Sequence, residues 1–184
     1  MITVSQRDKA KRKAVMMIEA SGFKLTPNEI ENMDVADFGL GHLEVEGAQI
    51  VNLADTESLS IRLIALFPNQ IEPEHRHIAV SGKSGKEETI RVLTGTVHFY
   101  ISGPENFKEG FIPLGKEQCY TCRHEVIMKP GDQLTLKPGM RHWFQAAEEG
   151  AVMIFFCSSA MDAYDLFTDS SIVRVTKIVD GPVE

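Results

Sequence analysis

A mainly β fold, either a sandwich or a barrel, is predicted by two features of the sequence. From Leu43 onward, short runs rich in β-branched and aromatic residues are separated by Gly, Pro, Asn and Asp, and helical periodicity is confined to the segment before Met33. The 184 residues, 43% of them hydrophobic, suffice for one core. We therefore predict a single structural domain, with an N-terminal helical extension at 1–42 and a β-barrel at 43–184.

Two helices are predicted in the extension. From Ser5 to Ala20 apolar residues recur at helical spacing, and Gly22 supplies a stop. The Lys and Arg residues of this segment indicate a solvated helix face rather than a nucleic-acid or membrane patch. Thr26-Pro27-Asn28-Glu29 has the N-cap, the N1 proline and the capping box of a second helix, which should end near Met33.

Seven segments have the composition of short antiparallel strands. Turns are predicted at Pro130-Gly131-Asp132 and Pro138-Gly139, which place His142 just beyond a tight turn at the barrel rim. The predicted strands are Gln49 to Ala54, Ser60 to Phe67, Thr89 to Ile101, His124 to Met128, Gln133 to Leu136, His142 to Ala147 and Ala151 to Cys157.

Charge and cysteine content limit the partners. The formal net charge of -7 argues against nucleic acid or an anionic membrane, because both favour clustered Lys and Arg. No apolar run approaches the roughly 20 residues that cross a bilayer, and no signal-peptide pattern is present. Three cysteines, one necessarily unpaired, fit a reducing compartment, so we expect a cytoplasmic protein. Cys119 and Cys122 form a Cys-x-x-Cys without a second pair, and we expect no function for them.

Three histidines and a glutamate form a candidate metal site. In an extended chain His75 and His77 point to the same face and can bind one ion together, while Glu88 and His142 lie on other predicted strands. This mixed nitrogen and oxygen set suits Mn²⁺, Fe²⁺, Co²⁺, Ni²⁺ or Zn²⁺. An octahedral ion would keep two positions open for oxygen atoms of a substrate.

These residues resemble the motifs of the cupins, jelly-roll β-barrels that hold a metal inside the barrel. The first cupin motif is His-x-His, then a glutamate and, after six further residues, a glycine; here Glu88 leads in this way to Gly95. The second motif matches Pro138-Gly139-Met140-Arg141-His142, with the proline displaced by one. The gap between His77 and Glu88 is longer than usual, so Glu87 stays an alternative ligand, although the spacing to Gly95 favours Glu88. The resemblance implies a cupin-type jelly roll.

A narrower resemblance, to the D-lyxose isomerase family of cupins, covers nearly the whole chain. It implies interconversion of D-lyxose with D-xylulose, and often of D-mannose with D-fructose. It also implies a divalent metal, typically manganese, and a homodimer. The segments that carry it are Asp37-Phe38-Gly39-Leu40-Gly41, Phe67-Pro68, Pro73 to His77, Gly85 to Thr89, His142 to Ala146 with Glu148 to Ala151, and Asp165-Leu166-Phe167-Thr168-Asp169.

Aldose–ketose isomerisation requires either proton transfer between C2 and C1 or a metal-assisted hydride shift. Lys86, two residues before Glu88, should point to the same face and could donate to a developing oxyanion or shuttle the proton; otherwise it is a solvated loop lysine. Asp165 is a second catalytic candidate, with a cap or turn as its alternative role. Glu74 and Glu125 are candidate acceptors for sugar hydroxyls, although a surface position is favoured for both.

The other histidines, His42, His98 and His124, are expected not to bind metal. Trp143 and Phe144 point to opposite faces, so we expect one in the core and the other at a dimer contact or a sugar-stacking surface. Two other function classes stay open, an Fe²⁺-dependent cupin oxygenase and a non-catalytic sugar-binding cupin.

Overall fold

Two helices begin the chain in the computed structural model, which describes residues 1–80, 82, 84–158 and 164–181. Helix α1 spans Val4–Ala20 and helix α2 spans Pro27–Glu31. The predicted capping box of α2 is present: the Thr26 hydroxyl accepts from the backbone of Glu29, whose side chain accepts from the backbone of Thr26. Gly22, with φ of 96°, follows the end of α1 as predicted.

Among the described residues, the strands form a two-stranded parallel pair, β1 with β11, and one nine-stranded sheet in which neighbouring strands are antiparallel. The strands are β1 Ile2–Thr3, β2 Asp34–Ala36, β3 Ala48–Asp55, β4 Ser60–Leu66, β5 Ile71–His77, β6 Glu88–Ile101, β7 His124–Met128, β8 Gln133–Leu136, β9 His142–Cys157, β10 Asp165–Phe167 and β11 Ile178–Val179.

The two longest strands, β6 and β9, run side by side through the centre of the sheet and belong to both of its halves. In one half the order is β2-β3-β4-β9-β6-β8, and in the other it is β10-β5-β9-β6-β7. The sheet curls into a half-barrel, and the prediction of a mainly β, cupin-type jelly roll with an N-terminal helical extension is confirmed. Residues 34–36 lie in the large sheet and residues 2–3 in the parallel pair, so the first 42 residues contribute two strands as well as helices.

Two predicted strands are one continuous strand. The prediction ended one strand at Ala147 and began the next at Ala151, whereas β9 runs unbroken through both. The predicted break between the two strands corresponds to a shift in the pairing of β9 with β6. Val97 of β6 is opposite Ala146, and Gly95 is opposite Ala151. Four residues of β9 therefore face one residue of β6, and the sheet bends at this bulge.

The core lies on both faces of the sheet. Apolar side chains that point into the barrel, such as Ile64 and Phe99, pack with Phe144 and Phe155. On the outer face the apolar stripe of α1 packs against β3, β4 and β9, with Ile18 completely buried. A second outer cluster contains Tyr100, Ile71, Tyr120, Cys122 and Trp143. Within the described residues, no helix is long and apolar enough to cross a membrane.

A glycine-to-alanine pair tests the close contact at the bulge. Gly95 and Gly115 have φ of 77° and 79°, but a Cβ at Gly95 would overlap the carbonyl oxygen of Gly150, whereas one at Gly115 meets open space. Gly115→Ala should cost about 1 kcal/mol of unfolding free energy, from backbone strain alone. Gly95→Ala should cost about 3 kcal/mol or more, because overpacking adds to that strain. Urea denaturation measures both, and equal losses would contradict the close contact.

Candidate metal centre

Three strands bring the predicted metal ligands together. His75 and His77 lie on β5, Glu88 begins β6 and His142 begins β9. His75 is the cross-strand partner of His142, and all four side chains are buried. The two histidines of β5 contribute to the same face, as the alternation of an extended chain predicts.

The three imidazole rings surround one point. The ring centroids of His75 and His142 are 4.3 Å apart, and those of His77 lie 5.0 Å from His75 and 5.1 Å from His142. One ligand nitrogen from each ring can be chosen so that all three lie within 4.8 Å of one another. Because nitrogen ligands of these ions lie at about 2.1 Å, small movements of the rings would close them on one ion.

The outward nitrogen of each ring is held by an acceptor. Nδ1 lies 2.8 Å from the carbonyl oxygen of Pro73 in His75, 2.6 Å from Oδ1 of Asp165 in His77, and 3.0 Å from the carbonyl oxygen of Met140 in His142. Carbonyl and carboxylate oxygens only accept, so each Nδ1 carries the proton and donates it. At His75 and His142 the Nε2 lone pair is thereby left facing the common point, which is the arrangement that metal-binding histidines require, whereas Nε2 of His77 lies 3.3 Å from Oε2 of Glu88.

One of these inward nitrogens has no hydrogen-bond partner among the described residues. It is Nε2 of His142, which is buried. A buried polar atom without a partner is unfavourable unless a ligand takes it up. A divalent cation at the common point would do so, and the donor set therefore fits a metal.

Glu88 presents one carboxylate oxygen to the histidines and uses the other as an anchor. Oε1 lies 3.0 Å from Nζ of Lys86 and accepts from the thiol of Cys157 at 3.2 Å. Oε2 lies 3.3 Å from Nε2 of His77 and 3.8 Å from Nε2 of His142. The side chain of Glu87 is exposed, so the structure places Glu88 rather than Glu87 beside the imidazoles.

The electrostatics of the site favour ligand-competent protonation states at His75, His142 and Glu88. Burial lowers the pKa of His75 to about 3 and that of His142 to about 4, which keeps both rings neutral. Burial also lowers the pKa of His77, but hydrogen bonds to Asp165 and Glu88 outweigh it and raise that pKa to about 9, so an ion that binds there would have to displace the Nε2 proton of His77. Burial opposes ionisation of Glu88, yet Lys86 and His77 hold its pKa well below the usual range, so it is a carboxylate.

A small cavity of about 20 Å³ adjoins the imidazoles. That is close to the space of one water molecule, so a sugar can enter only when lining side chains move apart. Its lining is charged, with Arg62, Lys86, Arg174, Glu72 and Asp165 beside Glu88 and His75. A larger cavity of about 540 Å³ lies beside Arg76, Arg123 and Arg141, but no metal-site residue lines it, so the chemistry points to the smaller one.

Both predicted catalytic residues reach the site. The Lys86 ammonium is buried and forms an ion pair with Glu88, so it is not a solvated loop lysine. Asp165, on β10, is paired with His77 across the sheet and accepts the hydrogen bond from its Nδ1. Asp165 therefore orients the imidazole of His77 rather than capping a turn.

Glu74 and Glu125 are buried rather than at the surface. The Glu74 carboxylate accepts from the backbone of Thr121 and Cys122 and from the hydroxyl of Thr168, so it ties loops to β5 on the face opposite the histidines. The Glu125 carboxylate accepts from backbone amides of the neighbouring loop and from Tyr100, and pairs with His98. Neither carboxylate lines the cavity beside the imidazoles.

Trp143 and Phe144 are both fully buried, so the expectation that one lies at a dimer contact or a sugar-stacking surface is wrong. They belong to different clusters on opposite faces of the sheet, and a loop covers the face of Trp143. The indole donates to the carbonyl oxygen of Cys122.

Glu72 and Arg62 are the buried charges of the cavity that sequence reasoning missed. Strict alternation from His75 places Glu72 on the wrong face of β5, and Arg62 sits in an otherwise apolar strand. The only local signal is Pro73, since proline inside a strand indicates a bulge.

Comparisons with known protein sequences all identify sugar isomerases as relatives of this chain. A family model described as D-lyxose isomerase matches residues 24–181. A D-lyxose ketol-isomerase of Cohnella laeviribosi is 42% identical over 170 residues, which cover 92% of this chain and 93% of that protein. A D-lyxose/D-mannose isomerase of Thermosediminibacter oceani is 41% identical over 181 residues, which cover 98% of this chain and 100% of that protein.

Solved structures share the architecture. An L-ribose isomerase of Acinetobacter sp. DL28, in complex with L-ribose, superposes with a TM-score of 0.82 at 15% identity, covering 97% of this chain and 98% of that one. An L-ribose isomerase of Cellulomonas parahominis gives a TM-score of 0.82 at 14% identity with the same coverage, 97% and 98%. At this identity the likeness shows the fold alone.

Removal of one histidine tests the metal centre. His142→Ala should weaken Mn²⁺ binding by more than the about 10–100-fold that loss of an outer hydrogen-bond partner costs, because a direct ligand is gone. The matched control is His124→Ala, since His124 bonds a loop carbonyl and does not line the metal site. Metal content after dialysis and titration calorimetry measure both variants. Unchanged affinity in His142→Ala would show that the histidines do not form the site.

Proposed function

The chain belongs to the D-lyxose isomerase family and is a sugar isomerase, an intramolecular oxidoreductase; we propose that it is metal-dependent and interconverts D-lyxose with D-xylulose and D-mannose with D-fructose. The observation that carries the metal dependence is the convergence of three anchored imidazoles, with Nε2 inward, on one point beside Oε2 of Glu88. The substrates are proposed from the names of the two relatives above.

His75, His77, Glu88 and His142 would hold the ion, which we propose to be Mn²⁺, with Co²⁺, Fe²⁺, Ni²⁺ or Zn²⁺ compatible with the same donors. Cys157 is not needed as a ligand, because burial raises the pKa of its thiol and it donates to Glu88. When bound, the ion would act as a Lewis acid on the carbonyl of the open-chain sugar and acidify the adjacent C–H bond.

Lys86 would stabilise negative charge on the reacting sugar. It lies in the buried cavity, 3.0 Å from the Glu88 carboxylate, where an ammonium can donate to an oxygen that becomes an oxyanion. Such a donor is more effective in a site that excludes water than in bulk solvent. Asp165 would act through His77, by holding the proton on Nδ1 and the ring in its binding orientation.

The two other function classes receive less support. An Fe²⁺ oxygenase could use the same ligands, but the family to which the chain belongs isomerises sugars. A non-catalytic sugar-binding protein would have no need for buried, anchored imidazoles around a charged cavity. Neither class is favoured by a specific observation.

We also propose that the protein is a cytoplasmic homodimer. The homodimer is what the family resemblance implies. The cytoplasmic location rests on the cysteines, all three of which are free thiols in the structure. The charge of -7 is consistent with an uncharged sugar substrate and with the absence of nucleic-acid or membrane partners.

The central test is turnover by protein of defined metal content. Protein stripped with a chelator and reloaded with Mn²⁺ should form D-xylulose from D-lyxose and D-fructose from D-mannose, and the stripped protein should form neither, because nothing polarises the carbonyl. Ketose formation is measured by chromatography. Failure to convert either sugar with Mn²⁺ or Co²⁺ would exclude the proposed activity, and oxygen uptake without ketose would favour the oxygenase.

A charge-removing variant tests Lys86. Lys86→Met keeps the length of the side chain and should lower kcat about a hundredfold, which is the cost of losing one donor to a developing oxyanion. The control is Lys129→Met at an exposed position. Both are assayed at saturating Mn²⁺, with bound metal measured in parallel. A kcat of Lys86→Met close to that of the control would remove Lys86 from the chemistry.

A further inference from the structure

One buried carboxyl oxygen that belongs to this cavity has no hydrogen-bond partner among the described residues. Glu72 lines the cavity beside His75, and its Oε2 is buried without a hydrogen bond in the described part of the chain. A buried carboxyl is normally hydrogen-bonded, because the cost of removing it from water is otherwise uncompensated. Its neighbour Glu74 follows that rule, with four donors on its carboxylate. The free Oε2 of Glu72 is therefore available to bind a ligand.

A bulge in β5 aims Glu72 at the metal site. Glu72 is the cross-strand partner of Phe144, whereas His75 is the partner of His142, so β5 has one more residue than β9 in this interval. In a regular strand, residues three apart point to opposite faces. The extra residue brings Glu72 and His75 to the same face and turns Glu74 to the other. Pro73 tolerates this interruption because it has no amide hydrogen to lose from the ladder.

The surroundings of Glu72 let it exist in both protonation states. Burial raises the pKa of its carboxyl to about 8, and the negative charge of Glu88 adds to this effect. Arg174 and Lys86 oppose the rise, and Asp165 supports it. Arg62 also lines the cavity. A carboxyl group near the midpoint of its titration can both accept a proton and return it.

The other candidates in the cavity are already engaged. Oδ1 of Asp165 accepts from Nδ1 of His77, and the Lys86 ammonium is paired with Glu88. The Glu88 carboxylate is bonded through both oxygens. Among the described acidic residues that line the cavity, Glu72 is the one with an unbonded buried oxygen.

We propose that Glu72 is the group that carries the proton between C2 and C1 of the sugar, an inference that rests on the proposed isomerase function. Its carboxylate takes the proton from C2; the C2–H electron pair forms the C1=C2 bond, and the carbonyl pair moves to O1. The carboxylic acid returns its proton to C1 as the electron pair of the O2–H bond forms the C2=O carbonyl, and the O2 proton passes to O1. The sum of these steps is aldose to ketose without an external oxidant or reductant.

The test compares Glu72→Gln with Glu87→Gln, a control at an exposed glutamate. Glutamine keeps the size of the side chain but cannot accept the proton, so kcat of Glu72→Gln should fall about a thousandfold, within the usual contribution of a general base. KM for the aldose should change by less than about threefold, and bound Mn²⁺ should match the wild type. Glu72→Asp, with a shorter carboxylate, should recover part of the lost rate. In heavy water, the wild type should place solvent deuterium on C1 of the ketose.

Three results separate the possible failures. A Glu72→Gln enzyme with kcat within tenfold of Glu87→Gln, beside an active wild type, would overturn the role of Glu72 and leave the isomerase intact. Complete retention of the C2 hydrogen of the aldose on C1 of the ketose, with no solvent deuterium, would indicate a hydride shift and would also overturn it. A wild type that converts no aldose would overturn the proposed function and this inference with it.

Discussion

The site depends on the fixing of three imidazole protons. Each Nδ1–H donates to an oxygen outside the ring of histidines, and two of those oxygens are backbone carbonyls two residues earlier in the chain, at Pro73 and Met140. These two anchors are local and come with the path of the chain, whereas the third, Asp165, arrives on a distant strand. Once the three protons are placed outward, the lone pairs have one direction left. The folded barrel thus brings together three imidazoles that could hold a metal ion.

The barrel can hold so many buried charges because much of its apolar packing lies on the outside of the sheet. Helix α1 covers one outer face of the sheet, and the loop that contains Tyr120 and Cys122 covers the other with Trp143 beneath it. The interior around Phe99 and Phe144 supports the histidines directly, since the ring of His142 stacks on Phe99. Burial on three sides then supplies the low-polarity surroundings that keep His75 and His142 neutral.

Much of this could be predicted from sequence, and the failures share a cause. Alternation placed His75 and His77 on one face, because that argument needs only local regularity, and the spacing to Gly95 in the cupin motif selected Glu88 over Glu87. The sequence pattern did not identify Glu72 as a residue of the site, because a bulge breaks that regularity between Glu72 and His75. Glu74 and Glu125 were expected at the surface because sequence patterns do not show which loops fold back to cover a strand. Strands β2 and β10, of three residues each, are too short to show a period of two.

The bulge at Pro73 also bears on how this pocket can be redesigned. A strand normally alternates its side chains strictly, yet β5 presents Glu72, His75 and His77 inward and Glu74 outward within seven residues. The number of residues in this stretch is therefore as much a part of the chemistry as their identity. If the same residues paired regularly with β9, without the bulge, Glu72 and His75 would point to opposite faces of the sheet, so a redesign of this pocket should keep the irregular pairing at Pro73.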